Sequence, residues 1–503
     1  MTTTEPFDLL IIGGGINGCG IAADAAGRGL RVLLAEKSDL AQATSSSSSK
    51  LIHGGLRYLE HYEFRLVREA LAEREVLLAK APHIIWPMRF VLPHVPGLRP
   101  KWMVRAGLFL YDNLYRRETI SGSQGIDLRV DPMGQPLRSG LTSGFSYWDC
   151  WVDDARLVLL NAMAARDKGA EILTRTAVTA LSGANGQWVV TLESDGGRRE
   201  VRARAVVNAA GPWVDRLDAL ARGLPRPANT SHVRLIKGSH IVVPRIAGAN
   251  DAYMLQNADK RIVFVLPYEE NFSIIGTTDV PYAGDPAAVA ISTDEETYLL
   301  DLASKFFKTP LTRDDIKWRY SGVRPLYNDN NDDPSAVTRD YHLELTTPAE
   351  RGPMLSIYGG KVTTYRRLAE EALERLRPHL PSMGRAWTAK SALPGGDLGA
   401  ASFDAFFSDL KRAYPGFDAV QLLRLARRHG SMVRRVLGDA KSLSDMGLHL
   451  GHGLTEREVR YMMANEWARS ADDVLWRRSK VGLHLSAADR ARAADAMAGW
   501  LAG

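Results

Sequence analysis

Hydrophobic positions in the first forty residues fall into two short runs on either side of a glycine-rich turn. Leu9, Leu10, Ile11 and Ile12 form one continuous apolar run, and Val32, Leu33, Leu34 and Ala35 form another. Runs of that length, bounded by turn residues, are the pattern of strands buried on both faces. Residues 7–36 therefore predict a strand, a glycine turn, a helix and a second strand. Farther along, Leu66, Ala70, Leu77 and Leu78 recur at helical spacing within 63–82, and 101–111 combine bulky apolar residues with Lys101 and Arg105. Residues 146–168 carry a helical pattern, followed by a strand-like 170–173. Alternation in 188–192 and 202–207 predicts a hairpin leading back to a parallel sheet, and 233–244, 261–267, 272–279 and 318–326 predict a strand-rich block. Residues 355–358 read as a strand and 359–364 as a glycine turn opening a helix, with Ala369, Ala372, Leu373 and Leu376 on one face. Beyond a linker at 393–396, four segments are helical: 403–413, 419–428, 455–467 and 487–501.

The first turn carries chemistry. Gly13, Gly15 and Gly18 fit the G-x-G-x-x-G spacing of a dinucleotide site, with Asn17 inside it. Gly13 permits the tight turn, Gly15 lets a pyrophosphate approach the backbone, and Gly18 lets the helix lie close to the sheet. Glu36 ends the second strand, where an acid accepts a ribose hydroxyl. A carboxylate there would repel a 2′-phosphate, which disfavours NADP and leaves NAD and FAD open. Two later stretches suit the same ligand. Ala210 and Gly211 end a strand with small residues that allow close approach. Gly360, Lys361, Val362 and Thr363 point a second helix N-terminus at it.

Composition narrows the setting. At 503 residues the chain exceeds one ordinary core, so two or three domains are expected. No apolar run reaches the roughly 18 residues that span a bilayer, and no signal peptide opens the chain, so a cytoplasmic protein, or one on the cytoplasmic face of the membrane, is expected. Cys19 and Cys150 are the only cysteines, which excludes a disulfide framework, and the histidines lack ligand spacing, so no metal is expected. The net charge of +6 invites an anionic partner, either a phosphorylated metabolite or an acidic lipid surface; no motif supports nucleic acid. The 101–111 helix suits a membrane interface, rings at headgroup depth and cations on phosphates, or a core helix with a basic rim.

A serine run, Thr44, Ser45, Ser46, Ser47, Ser48, Ser49, Lys50, is followed at once by Leu51, Ile52, His53, Gly54, Gly55, Leu56, Arg57, Tyr58, Leu59 and Glu60. With no domain break after it, the run suits the polar edge of a cofactor better than a linker. Residues 44–60 resemble the signature of the FAD-dependent, aerobic, membrane-associated glycerol-3-phosphate dehydrogenases, and the resemblance extends over nearly the whole chain. It implies an α/β fold: a Rossmann-like FAD-binding domain of the D-amino-acid-oxidase-like type (1–85, 146–232, 350–392), an antiparallel-sheet substrate domain (86–145, 233–349) and a C-terminal helical cap (393–503). The resemblance puts FAD against Thr44, Ser45, Ser46, Ser49, Lys50, Leu51, His53 and Val178, besides the glycine turns. A docking or dimerising role suits the cap, and a homodimer is expected.

The implied reaction takes a hydride from the alcohol carbon of sn-glycerol 3-phosphate onto FAD and gives dihydroxyacetone phosphate, the electrons passing to a membrane quinone. Arg57, Tyr58, Thr277 and Lys361 are implied to hold the phosphate, with Arg324 near the reacting oxygen. His240 is the favoured proton acceptor because an unshifted imidazole titrates near neutrality, with His53 or an Arg324-assisted water as alternatives. Rival readings are an oxygen-using glycerol-phosphate oxidase, an amine or D-amino-acid oxidase on the same scaffold, and a non-catalytic module that binds anionic surfaces.

Overall fold

The computed structural model describes residues 5–95, 97–223, 232–257, 259, 261–328, 340–348, 350–400 and 402–501. Phe7–Ile12 forms the centre of an eight-stranded sheet, with Val32–Ala35 and Gly197–Asn208 parallel to it on either side. Glu171–Leu173 and Met354–Tyr358 extend the parallel set, and the hairpin of Gln187–Ser194 with Gly197–Asn208 feeds back into it as expected. The helix Ile16–Gly27 is buried along most of its length between this sheet and the helices Asp154–Asp167 and Tyr365–Leu376. Its Cys19, Ala22, Ala23, Ala25 and Ala26 are small enough for that close packing.

A second, ten-stranded sheet is built around Val233–Pro244, which pairs antiparallel with Phe272–Gly276 and Trp318–Tyr327. It departs from pure antiparallel order at one seam, where Ala252–Gln256 runs parallel to Ile85–Pro93. Ser143–Val152 is a strand of this sheet, not the start of a helix. The helix begins at Asp154 because the Asp153 carboxylate accepts the Arg156 N–H and caps it. Hydrogen bonding thus moves 146–152 and Leu51–Ile52 into the second sheet, and His342–Thr346 into the first, across the boundaries drawn from sequence.

The helix Lys101–Asn113 buries Leu108 and Tyr111 and leaves Trp102, Met103, Phe109 and Leu110 exposed. Among the described residues no helix is long and apolar enough to cross a membrane. The C-terminal segment folds as the helices Phe403–Ala413, Ala419–His429, Glu456–Glu466 and Ala487–Leu501 with shorter turns between.

Candidate cofactor and substrate site

The carboxyl ends of the parallel strands open into a cavity of about 1180 Å³, in the crevice where open parallel sheets take ligands. That exceeds the usual ~300–1,000 Å³ of small-molecule pockets and suits an extended dinucleotide with room beside it. Gly13 turns the chain with φ +114°, and a Cβ there would meet the Ala209 carbonyl oxygen at 2.5 Å. A Cβ on Gly18 would collide with the Gly13 carbonyl, so Gly18 serves helix packing and does not line the cavity. Gly15 precedes the helix without a side-chain cap of its own; Ser45 supplies it, its hydroxyl accepting the Ile16 N–H at 3.0 Å. Glu36 accepts the N–H groups of Gly14 at 2.6 Å and Ser38 at 2.8 Å, and burial raises its pKa above the usual carboxylate range despite those donors.

The serine run is ordered by a buried ion pair. Lys50 Nζ donates to both Asp154 oxygens at 2.8 and 2.9 Å and to the Ser46 carbonyl at 3.0 Å, while Ser48 donates to Asp154 from its N–H and its hydroxyl. Lys50 and Ser46 therefore shape the turn from behind and do not line the cavity, whereas Thr44, Ser45, Ser49, Leu51 and His53 do. The pairing of Lys50 with an acid some hundred residues away carries no local sequence signal. Gly360, Val362, Thr363, Val178, Ala210 and Gly211 complete the cofactor-side lining.

On the side of the second sheet, Arg324 forms an ion pair with Asp279 and donates to the Thr277 hydroxyl at 3.0 Å and the Thr278 carbonyl at 3.3 Å. Thr278 is held in turn by Glu295, which also pairs with Lys237 at 2.7 Å. Across the cavity, the Lys361 ammonium sits 4.0 Å from the centroid of the Tyr58 ring and has no hydrogen-bond acceptor among the described residues. Asn17 Oδ1 and His240 Nδ1 are likewise buried without a partner there. Three orphaned polar atoms on one cavity mark groups that a polar ligand completes. Arg57, half-buried one residue before Tyr58, is not part of the lining.

His240 stacks on Tyr320 with centroids 4.7 Å apart, and its Nε2 lies 2.9 Å from the Ser49 hydroxyl. Burial first, then the charges of Lys50 and Arg324, push its pKa well below that of an ordinary imidazole. The premise of an unshifted pKa therefore fails: His240 is neutral and a weak base. Sequence reading missed Trp213 and Arg216 at the other end of the cavity, where Lys37 lies 3.7 Å from the centroid of the Trp213 ring. Their nearness to Ala210 and Gly211 was the available signal. Among the described residues, Asp215, Asp218 and His232 form one grouping of possible metal-ligand atoms. Asp218 already accepts from Asn208, Ser356 and Tyr358, as a structural carboxylate does.

Residues 8–366 match the family model described as FAD dependent oxidoreductase, and 386–502 match that described as the C-terminal domain of alpha-glycerophosphate oxidase. The chain belongs to the FAD dependent oxidoreductase family, and the choice between NAD and FAD falls to FAD. More particularly, it is 54% identical to aerobic glycerol-3-phosphate dehydrogenase of Escherichia coli (strain K12), over 97% of this chain and 96% of the relative. It is 51% identical to D-erythritol 1-phosphate dehydrogenase of Brucella abortus (strain 2308), over 98% and 97% of the two chains. The solved glycerol-3-phosphate dehydrogenase from Bacillus halodurans, complexed with FAD, superposes with a TM-score of 0.75 at 27% identity, covering 99% of this chain and 95% of that one. The expected flavoprotein fold is met.

Proposed function

We propose that the protein oxidises sn-glycerol 3-phosphate to dihydroxyacetone phosphate with FAD in this cavity, the electrons passing to a membrane quinone. The observation that carries the reading is the buried Lys361 ammonium, without an acceptor among the described residues, on the same cavity as the Arg324 guanidinium. Bound FAD supplies the hydride acceptor. Lys361 Nζ and the Thr277 hydroxyl hold the phosphate, and Tyr58 fixes the lysine beneath it through its ring. Arg57, behind Tyr58, adds positive charge at longer range. Arg324, oriented by Asp279 and Thr277, fixes the alcohol oxygen and stabilises negative charge on it as the proton leaves. The low basicity of His240 favours His53 as the group that takes this proton, with His240 and Ser49 holding the alcohol in place.

Peripheral attachment to the cytoplasmic face of the membrane is part of the proposal, supported by the exposed Trp102, Met103, Phe109 and Leu110 beside Lys101 and Arg105. Quinone use and a homodimeric state rest on the family resemblance. Light scattering of the purified protein checks the second. A longer polyol phosphate is the competing substrate, favoured by the 51% identity to the D-erythritol 1-phosphate enzyme.

Anaerobic titration of the holoenzyme, followed by its flavin absorption, tests the reading. Glycerol 3-phosphate bleaches the flavin at far lower concentration than D-erythritol 1-phosphate, and phosphate-free amines do not bleach it. The reverse order between the phosphates assigns the other substrate, and bleaching by amines overturns the class. Peroxide formed in air at the rate of turnover would put oxygen in place of quinone. Arg324→Ala retains FAD and bleaches at least ~100-fold more slowly, the usual loss on deleting one charge-stabilising donor; an unchanged rate removes Arg324 from the reaction.

A further inference from the structure

The C-terminal helices contribute no residue to the lining of the cavity, yet they grip its far end. The π-helix Asp473–Arg478 reaches from that domain to two loops. Arg478 Nη2 donates to Asp39 Oδ1 at 2.8 Å, Nη1 bonds Oδ2, and Arg477 Nε donates to the same carboxylate at 2.5 Å. Asp39 is 1% exposed and lies in the cavity-lining stretch between Glu36 and Ser45. Asp473, in the same turn, receives Arg175 at 2.6 Å; the Arg175 N–H donates to the Ser38 carbonyl, and the Thr176 N–H to that of Glu36, each at 2.8 Å. The far side of the clamp is equally fixed. Arg478 donates from Nε and Nη2 to the Glu466 carbonyl at 2.9 and 2.5 Å, and the Glu466 carboxylate is held in bidentate fashion by Arg156 at 2.7 and 3.0 Å.

We infer that Asp39, Arg477 and Arg478 are positioning residues for the adenosine half of FAD, and that the C-terminal helical domain locks the 36–45 loop for cofactor binding. This rests on the reading that FAD lies along the cavity with its adenosine end toward Glu36 and Val178. Two arginines on one buried carboxylate form a pair that resists opening, because separating them strands a charge away from water. A loop ordered beforehand spares the ligand the ordering entropy, so the clamp appears in FAD affinity rather than in any contact with the cofactor. A π-turn, which places Arg477 and Arg478 side by side on Asp39, is a device found often at functional sites.

The test reads the FAD dissociation constant, from recovery of free-flavin fluorescence on serial dilution of holoenzyme. Asp39→Asn, which keeps size and removes charge, and Arg478→Met each raise it about tenfold or more. The double variant loses no more than the weaker-binding single, because both break one clamp. Leu422→Ala, in the core of the helical domain, lowers the melting temperature and leaves FAD affinity unchanged. Wild-type affinity in Asp39→Asn, losses that multiply in the double variant, or an equal loss in Leu422→Ala would each overturn the inference. Gly15→Val fills the space at the glycine turn and serves as the control for the reading beneath it. If it binds FAD normally, the cavity is misassigned; if it loses FAD while Asp39→Asn does not, only the clamp is wrong.

Discussion

Lys361 and His240 show how one side chain's surroundings set its chemistry. Among the described residues the lysine has no hydrogen-bond acceptor and lies over an aromatic face, and an ammonium so placed gains most from a dianionic ligand. Lys361→Met raises KM for the phosphorylated substrate by roughly 10- to 100-fold, the equivalent of one charge-assisted bond at about 1.5–3 kcal/mol. Steady-state kinetics with an artificial acceptor check it, and an unchanged KM sinks the assignment. Two buried histidines make stability sensitive to mild acid. His83 and His240 are both buried and pushed well below the ordinary imidazole pKa, His83 by burial and then by Arg156, His429 and Arg427. Below about pH 6.5 the unfolded chain takes up protons at these positions and the folded chain does not, so stability falls as the pH falls. Each contributes up to ~1.4 kcal/mol per pH unit to that slope. The unfolding free energy from urea denaturation is therefore lower at pH 5.5 than at pH 7.5, and His83→Leu narrows that difference by roughly 1 kcal/mol. An identical difference in the variant would mean that other groups carry the acid sensitivity.

At the scale of elements, the glycine turn and the serine run differ in how they were legible. The turn follows from local sequence: an apolar strand, three spaced glycines and an acid at the end of the next strand describe one compact unit. The serine run does not. Its shape comes from Asp154, which takes bonds from Lys50 and Ser48 and sits at the start of a helix a hundred residues on. Residues 146–152, expected to open a helix, form strand instead for a related reason. Their apolar spacing serves a buried helix or a doubly covered strand equally, and only pairing with Ile85–Pro93 and Leu51–Ile52 decides between them. The helix Lys101–Asn113 exposes the rings of Trp102 and Phe109, at 70% and 60%, on one side of an element whose Leu108 and Tyr111 anchor it inside. Trp102→Glu with Phe109→Glu abolishes co-sedimentation with anionic vesicles and leaves turnover of a soluble dye at wild-type level. Persistent vesicle binding would move the anchor elsewhere.

Over the whole molecule, two sheets of different origin meet at one cavity, and a helical domain braces the nucleotide end. In the C-terminal domain Arg434 and Arg435 are exposed, whereas Arg478 is buried with Arg477 beside it against Asp39. The buried Arg156–Glu466 pair joins the first domain to the last. Removing one partner leaves an uncompensated buried charge, so Glu466→Ala costs about 3–5 kcal/mol. Equilibrium denaturation measures it, and a loss under ~1 kcal/mol would mean that Arg156 finds another acceptor. Sequence by itself determined the parallel dinucleotide unit, the strand-rich block and the helical C-terminus, because these depend on spacing and residue type within a few turns of chain. Only the tertiary structure decided which cations line the cavity and which are consumed by buried acids, why Lys50 and Arg57 lie outside the lining while Lys361 has no acceptor among the described residues inside it, and how far burial moves His240 from an ordinary base. Charge pairing and desolvation depend on which distant segments close around a group, and no local pattern encodes that.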